Sequence, residues 1–566
     1  MAQEKTLTGY PSIDKPWLNQ YSEEVLYTSI PKKTMYELLY EYNKSRLDNV
    51  AIRYYGNDIS YGKLFENIRI AGAAFSAYGV TAGDVVTILS LNTPETTYAI
   101  YGLNYIGAVA NLLVANTSVQ EIATNLKDTK SKLFLVLDKM LDGIGELECP
   151  IPIITLSIGD SAKGIEKHIF RLMSSKKQLY ISYSEFVREK TCAECFRYSE
   201  DSPAIIVYTS GTTGQPKGVV LSNTNINSCA IQCAISGKNY RQHETFLNIL
   251  PPFYSFGIGM KHLCFYAGMT EIPMLIPKVD MVQKMIKKHR PNRLVIGPAF
   301  TDVIEKYSGK DMSFLVDLTG GGGSISLITE KRINEILETK GAKSKYLSGY
   351  GMTELSAAVS MNHNDNNKEQ SIGLPLPLTN IKICSLSNGE ELGYGEEGEL
   401  LVSSPGLMLG YYNNVEETEK SIETLGDGTR WIHTGDLAKV DEDGFVFVTG
   451  RIKRIYIVTN EDNLAYKLFP QRMEEVVQQI CGVQKCGVIV KEDEVRGYVP
   501  IVFVSSNGTE AYDVVREKIA KEIERNLPEY YKPKDIIVLD KIPVNSNQKI
   551  DYHALEQIGR ERLQEI

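Results

Sequence analysis

Several things are missing from these 566 residues, and each absence narrows the reading. There is no excess of basic charge. A formal net charge of −9 argues against a general nucleic-acid binder, so an anionic ligand would need a local positive site. The first ten residues, MAQEKTLTGY, lack the apolar core of a signal peptide. The most apolar stretch, 98–115, is broken by two asparagines and two glycines, which predicts a buried helix and strand and no membrane span. The nine cysteines are scattered, and the Cys-x-x-Cys formed by Cys192 and Cys195 has no second pair to complete a zinc site. A cytoplasmic protein is the expectation. There are no repeats and no low-complexity tract.

What is present is a long chain of ordinary globular composition. Two or more domains are expected at this length. Short apolar runs at 85–91, 132–138, 204–209 and 292–297 read as buried strands, with helical patterns at 63–78 and 281–290. That alternation predicts α/β layers. From about residue 373 the texture changes to short strands and Gly-rich turns, a β-rich subdomain. After Arg451 the last segment again mixes charged helices and strands, and is long enough for a small domain. The expected architecture is a large N-terminal α/β domain with its β-rich subdomain, residues 1–450, and a small α+β C-terminal domain, residues 451–566.

The stretch YTSGTTGQPKGVVLS, residues 208–222, packs glycines, hydroxyls and one lysine between apolar runs. It is not the nucleotide-binding Gly-x-x-x-x-Gly-Lys-Ser/Thr loop. Counted from Gly211, Pro216 stands where glycine is needed and Gly218 where Ser or Thr is needed. It also runs into Val219-Val220-Leu221 without opening a helix. Taken alone, such a cluster is a surface turn.

Four further stretches give it a context: TGGGGS (319–324), GYGMTE (349–354), TGDLAKVDEDGFVFVTGR (434–451) and PVNSNQKID (543–551). In this order, and with the segment 91–118, the chain resembles the adenylate-forming superfamily of acyl-CoA synthetases, peptide-synthetase adenylation domains and luciferases. The resemblance spans nearly the whole chain. It implies activation of a carboxylic acid by ATP and Mg²⁺, then transfer to a thiol, either CoA or the phosphopantetheine of a carrier protein. It implies that the opening loop clasps phosphate: Thr209, Ser210, Thr212 and Thr213 donate hydroxyls, Gly211 and Gly214 let backbone amides approach, and Lys217 screens pyrophosphate. Tyr350 would stack on adenine, Thr353 would meet the α-phosphate, and Glu354 would hold Mg²⁺. The run 320–323, with Gly321 and Gly322, resembles the wall beside adenine. Asp436 and Arg451 resemble the ribose contacts, Lys549 the catalytic lysine, and Lys453 the hinge of the mobile C-terminal domain.

Two departures stand out. Asn547-Gln548 replaces the usual small pair before the lysine. The segment 455–470 is a longer loop than usual, with no glycine between Gly450 and Gly482, which bears on the thiol step. The segment LPPFYSFGIGMKH, 250–262, lies where the family builds its acid pocket. Tyr254 stands where an aspartate would pair an amino acid's ammonium, and a buried unpaired ammonium is costly. With Phe253, Phe256 and Gly257, it predicts an apolar acid, fatty or aryl. Three readings stay open: a CoA ligase, a carrier-loading ligase using a basic patch such as 287–293, and an ATP-binding protein without the second step.

Overall fold

The computed structural model describes residues 7–144, 147, 149–173, 180–190, 193–209, 216–323, 325, 327–454, 456–459, 465–480, 482–493, 496–506, 508, 511–545 and 549–564. Ser210, Gly211, Thr212, Thr213 and Gly214 of the expected phosphate clasp lie outside them, as does Cys192.

Two large sheets dominate. One runs, from edge to edge, Gly410–Tyr411, Lys217–Ser222, Pro203–Thr209, Val109–Leu112, Val85–Leu89, Leu133–Leu137, Ile153–Leu156 and Ile181–Ser182. Its last six strands are parallel neighbours. The other runs Leu374–Pro375, Ala357–Met361, Tyr346–Met352, Asp317–Gly320, Arg293–Ile296, Thr245–Asn248, Thr270–Pro273, Val50–Tyr54 and Asn57–Ser60. The helix Pro94–Tyr105 is buried at every position, as a helix covered on all sides must be. Thr93 caps it by accepting the Thr96 amide at 3.1 Å, and Pro94 sits at its first turn, where a missing N–H costs nothing.

A third sheet, of Asn380–Cys384, Gly398–Ser403, Arg430–Val440, Ile422–Thr424 and Val446–Arg451, makes the β-rich part. Beyond it, Val483–Asp493, Gly497–Ser506 and Asp535–Leu539 form a small sheet against the helices Pro470–Gln478 and Tyr512–Asn526. Val458, Leu468, Val488, Val502 and Ile519 belong to a core of their own there. The mixed α/β architecture with a large N-terminal and a small C-terminal part is as expected.

One expectation changes. The segment 455–470 is not simply a long loop: Tyr456–Thr459 and Ala465–Leu468 pair antiparallel, Tyr456 opposite Leu468. Four successive pairs, each with a β-branched or aromatic residue on the first strand, hold a hairpin there.

Candidate active site

The motif residues converge from four elements. Tyr350 lies on Tyr346–Met352, which pairs with Asp317–Gly320 in parallel and then, from Gly349, turns into a hairpin with Ala357–Met361. The hairpin is so close that a Cβ on Gly351 would lie 1.4 Å from the Ala357 carbonyl oxygen, so only glycine fits. Asp436 lies on Arg430–Val440 and is cross-strand partner to Arg451.

These three side chains form one cluster. Tyr350 Oη donates to Asp436 Oδ2 at 2.5 Å, and Arg451 Nε pairs with Asp436 Oδ1 at 2.8 Å. Asp436 is 2% exposed. Burial pushes its carboxyl up from the usual carboxylate range, against the pull of Arg451 and the Tyr350 hydroxyl. Burial, then the neighbouring Asp436 charge, pushes the Tyr350 hydroxyl well above the phenol range, so it stays a donor. Lys549, from the C-terminal part, faces the same cluster: crowding by protein lowers its pKa, Arg451 lowers it further, and Asp436 raises it.

Glu354 sits in the short turn Thr353–Leu355, which Ser356 ends in a left-handed conformation, φ 63°. Tyr411 Oη donates to Glu354 Oε1 at 2.9 Å. Tyr411 arrives because Gly410–Tyr411 adds to the sheet edge beside Lys217–Ser222. Lys217 lies 4.9 Å over the Tyr411 ring and is ion-paired with Glu417, whose carboxyl it holds below the usual range. Thr209 is Lys217's cross-strand partner. As its sequence implied, the loop runs into the strand Lys217–Ser222 and not directly into a helix; the helix Asn223–Ile235, capped by Ser222, follows that strand. Neither Tyr411 nor Glu417 is marked by any motif. Only the fold brings them to the lysine.

The expected acid pocket begins at the helix Ser255–Tyr266, with Tyr254 at its N-cap. A Cβ on Gly257 would fall 1.9 Å from the Pro251 carbonyl oxygen, which makes glycine obligatory in this turn. The Phe256 ring lies against Gly321, where a Cβ would come 3.0 Å from it, and Gly322 follows with φ +81°. The Phe253 and Tyr254 rings meet edge-on at 4.7 Å. Lys261 is the charged residue of this helix, and Glu271 already neutralises it with bonds of 2.7 and 2.8 Å. His262 is buried between Tyr101 and Asn227, and burial pushes its pKa down to about 3.

The stretch 287–293 keeps Lys287, Lys288 and Arg290 exposed and buries Arg293. Arg293 is 4% exposed, held by Asp317 at 3.0 Å and Glu244 at 2.6 Å, and Arg290 pairs with Asp311 at 2.6 Å. The strand Arg293–Ile296 buries the arginine that the sequence alone left on a surface. Lys453 is exposed in the turn Ile452–Arg454. Among the described residues no helix is long and apolar enough to cross a membrane, and no three His, Cys, Asp or Glu side chains gather as metal ligands.

The chain is similar to known proteins. The chain is 27% identical to the long-chain-fatty-acid–CoA ligase of Bacillus subtilis (strain 168), over 87% of this chain and 89% of that protein. It is 28% identical to the 2-succinylbenzoate–CoA ligase of Bacillus cereus (strain Q1), over 91% and 96%. Its fold matches an anthranilate CoA ligase solved with anthranoyl-AMP, with a TM-score of 0.80 at 20% identity, covering 93% of this chain and 98% of that one. It also matches the o-succinylbenzoate CoA synthetase of Bacillus subtilis solved with its acyl-adenylate, with a TM-score of 0.75 at 24% identity, covering 92% and 97%. The model of the AMP-binding enzyme C-terminal domain matches residues 472–549. That of the AMP-binding enzyme matches residues 39–412, more than half of the chain, and the chain belongs to the AMP-binding enzyme family.

Proposed function

We propose that this chain is an AMP-forming acid–thiol ligase. It joins an apolar carboxylic acid to ATP as an acyl-adenylate, releasing pyrophosphate, and then passes the acyl group to CoA, releasing AMP. The observation that carries the reading is the Tyr350–Asp436–Arg451 cluster with Lys549 facing it. A carboxylate oxygen accepts more than one hydrogen bond, so Asp436 can hold ribose hydroxyls while bound to Tyr350 and Arg451. The Tyr350 ring, anchored through its hydroxyl, presents a fixed face to adenine. Lys549 meets the charge that develops between substrate carboxylate and α-phosphate. Thr353 would donate to that phosphate. Magnesium, a hard cation suited to one or two carboxylates plus phosphate oxygens, supplies positive charge there when bound, and Glu354 is the residue that would hold it.

The acid is apolar because the pocket helix offers no spare anion. Its lysine is already neutralised by Glu271, and its histidine is neutral. An α-amino acid would bring an ammonium with no partner. The relatives named for fatty-acid and succinylbenzoate CoA ligation support CoA as acceptor. We place the domain boundary between residues 450 and 451 and the hinge at Lys453. The test compares octanoate with 2-aminooctanoate in pyrophosphate exchange, then CoA with a phosphopantetheinylated carrier in thioester formation. Preference for the free acid and for CoA is expected, and preference for the amino acid or the carrier overturns the respective half.

A further inference from the structure

Two arginines bracket the middle of the turn Ile452–Arg454, and each is tied to a different part of the chain. Arg451 ends the strand Val446–Arg451 of the third sheet, and its Nε pairs with Asp436 Oδ1 at 2.8 Å. Arg454 is tied into the C-terminal part. Its Nη2 donates to Glu474 Oε1 at 2.8 Å and its Nη1 to Glu474 Oε2 at 3.2 Å, the two-pronged pairing that a planar guanidinium favours. Nη2 also donates to the Val488 carbonyl at 2.8 Å, and Nη1 to Tyr552 Oη at 3.0 Å. Between the two held arginines lie only Ile452 and Lys453.

The Arg454 cluster joins three elements. Glu474 stands on the helix Pro470–Gln478, Val488 on the strand Val483–Asp493, and Tyr552 opens the helix Tyr552–Gln564. Glu474 is buried, and its Oε1 also accepts the Val488 amide at 2.8 Å and the Tyr552 hydroxyl at 2.9 Å. The Arg454 guanidinium lies 4.1 Å over the Tyr552 ring. Tyr552 in turn follows closely on Lys549, and the segment between them is tightly held. The Lys549 amide donates to Asn545 Oδ1 at 3.0 Å, the Asn545 amide to the Lys549 carbonyl at 2.8 Å, and the Asp551 amide to the Pro543 carbonyl at 3.0 Å, while Val544 and Ile550 pair antiparallel. A continuous path of bonds therefore runs from the end of the turn, through Arg454 and Tyr552, to the segment that carries Lys549. It closes on itself, because Asp436 holds Arg451 at one end and faces Lys549 at the other.

We propose that Arg454 is a positioning residue for Lys549: bonded to Glu474 and Tyr552, it carries the orientation of the turn to the lysine's segment and sets how squarely Lys549 meets the reacting carboxylate and α-phosphate. The inference rests on the adenylation reading above. Without Arg454 the lysine keeps its charge and loses its aim. A charge that is slightly misplaced slows the reaction and leaves nucleotide binding in the ground state intact. Lysine cannot stand in for Arg454, since a single ammonium does not reproduce the planar fork that spans both Glu474 oxygens and still reaches Tyr552. The same bonds confine rotation at the turn to Ile452 and Lys453, because the residues on either side are held.

The experiment is a double-mutant cycle on the full chain, read by single-turnover adenylation with the acid that gives the fastest pyrophosphate exchange and by titration with ATP. Arg454→Lys should lower the adenylation rate roughly tenfold. Tyr552→Phe, which keeps the ring and its packing and removes only the hydroxyl, should lower it roughly threefold. Both should bind ATP as the unaltered chain does. In a Lys549→Ala background, Arg454→Lys should have no further effect, because no lysine is left to aim. A merely structural role would make the two losses multiply. Losses that multiply, a matching loss of ATP affinity, or full rates in Arg454→Lys and Tyr552→Phe while Lys549→Ala is slow overturn the proposal and leave the adenylation reading standing. An undiminished rate in Lys549→Ala, or no exchange with any acid, overturns the adenylation reading and this inference with it.

Discussion

Asp436 and Glu95 are both almost completely buried, 2% and 3% exposed, yet they are kept in opposite ways. Asp436 has a partner on each oxygen, Arg451 on one and Tyr350 on the other, with Lys549 as a second positive neighbour. Glu95 has a serine hydroxyl on one oxygen and no partner among the described residues on the other, and its carboxyl is pushed up to about 8. Burial raises both carboxyls, and at Asp436 the partners work against that rise. Where the fold supplies cations, a buried acid can serve a ligand that brings hydroxyls. Where the acid has only a hydroxyl beside it, it holds its proton to higher pH.

The largest effect should come from removing the cation that faces Asp436 from the C-terminal part. Lys549→Ala should lower adenylation by ~10²–10³ while ATP binding is nearly retained, because the lysine acts on charge that develops in the reaction. Single-turnover adenylation and nucleotide titration, measured side by side, check this. Survival of adenylation within tenfold would remove Lys549 from the comparison. Next, Lys453→Pro fixes φ at the hinge. Thioester formation should fall roughly tenfold or more while pyrophosphate exchange persists, and separate assays of the half-reactions decide it. Equal losses in both would make this turn a stability element.

Asp436→Ala should raise KM for ATP roughly tenfold with a smaller change in kcat, as expected for a contact present before and during the reaction. Asp436→Asn, which keeps a hydrogen-bonding group beside Tyr350, should recover part of that loss. An unchanged KM in the alanine variant would break the assignment. The mildest effect concerns Glu95. Its folded pKa, about 8, lies above 4.5, so between these values the folded chain binds more protons than the unfolded one. Stability therefore falls as pH rises through that window, by up to roughly 5 kcal/mol. Glu95→Gln should flatten this part of the pH dependence of the unfolding midpoint, and an identical slope in both proteins would show that Glu95 titrates normally.

The layered fold was legible because its strands are short unbroken apolar runs. The run at 204–209 became Pro203–Thr209, and the broken apolar stretch 98–115 became the end of a buried helix followed by the strand Val109–Leu112. Asp436, Arg451 and Tyr350 were legible through their flanking motifs, though not the bonds that tie them together. Tyr411 and Glu417 were not legible, because a two-residue strand from a distant part of the chain brings them to Lys217. Arg293 misled because a lysine-rich helix precedes it, while its acidic partners, Glu244 and Asp317, come from other segments. The missing glycine after Gly450 pointed to an altered loop, but pairing between 456–459 and 465–468 depends on register, which composition does not reveal. A deletion of 460–467 would therefore remove most of a strand as well as a connection.

The central claim, that the Asp436 cluster and Lys549 adenylate an apolar acid, is tested most directly by acid-dependent exchange of labelled pyrophosphate into ATP. The panel should contain medium- and long-chain fatty acids, aryl acids and amino acids. The account predicts exchange with at least one fatty or aryl acid, little with its α-amino analogue, and loss of the signal in Lys549→Ala. No exchange with any acid in the panel, or exchange undiminished in Lys549→Ala, would contradict it.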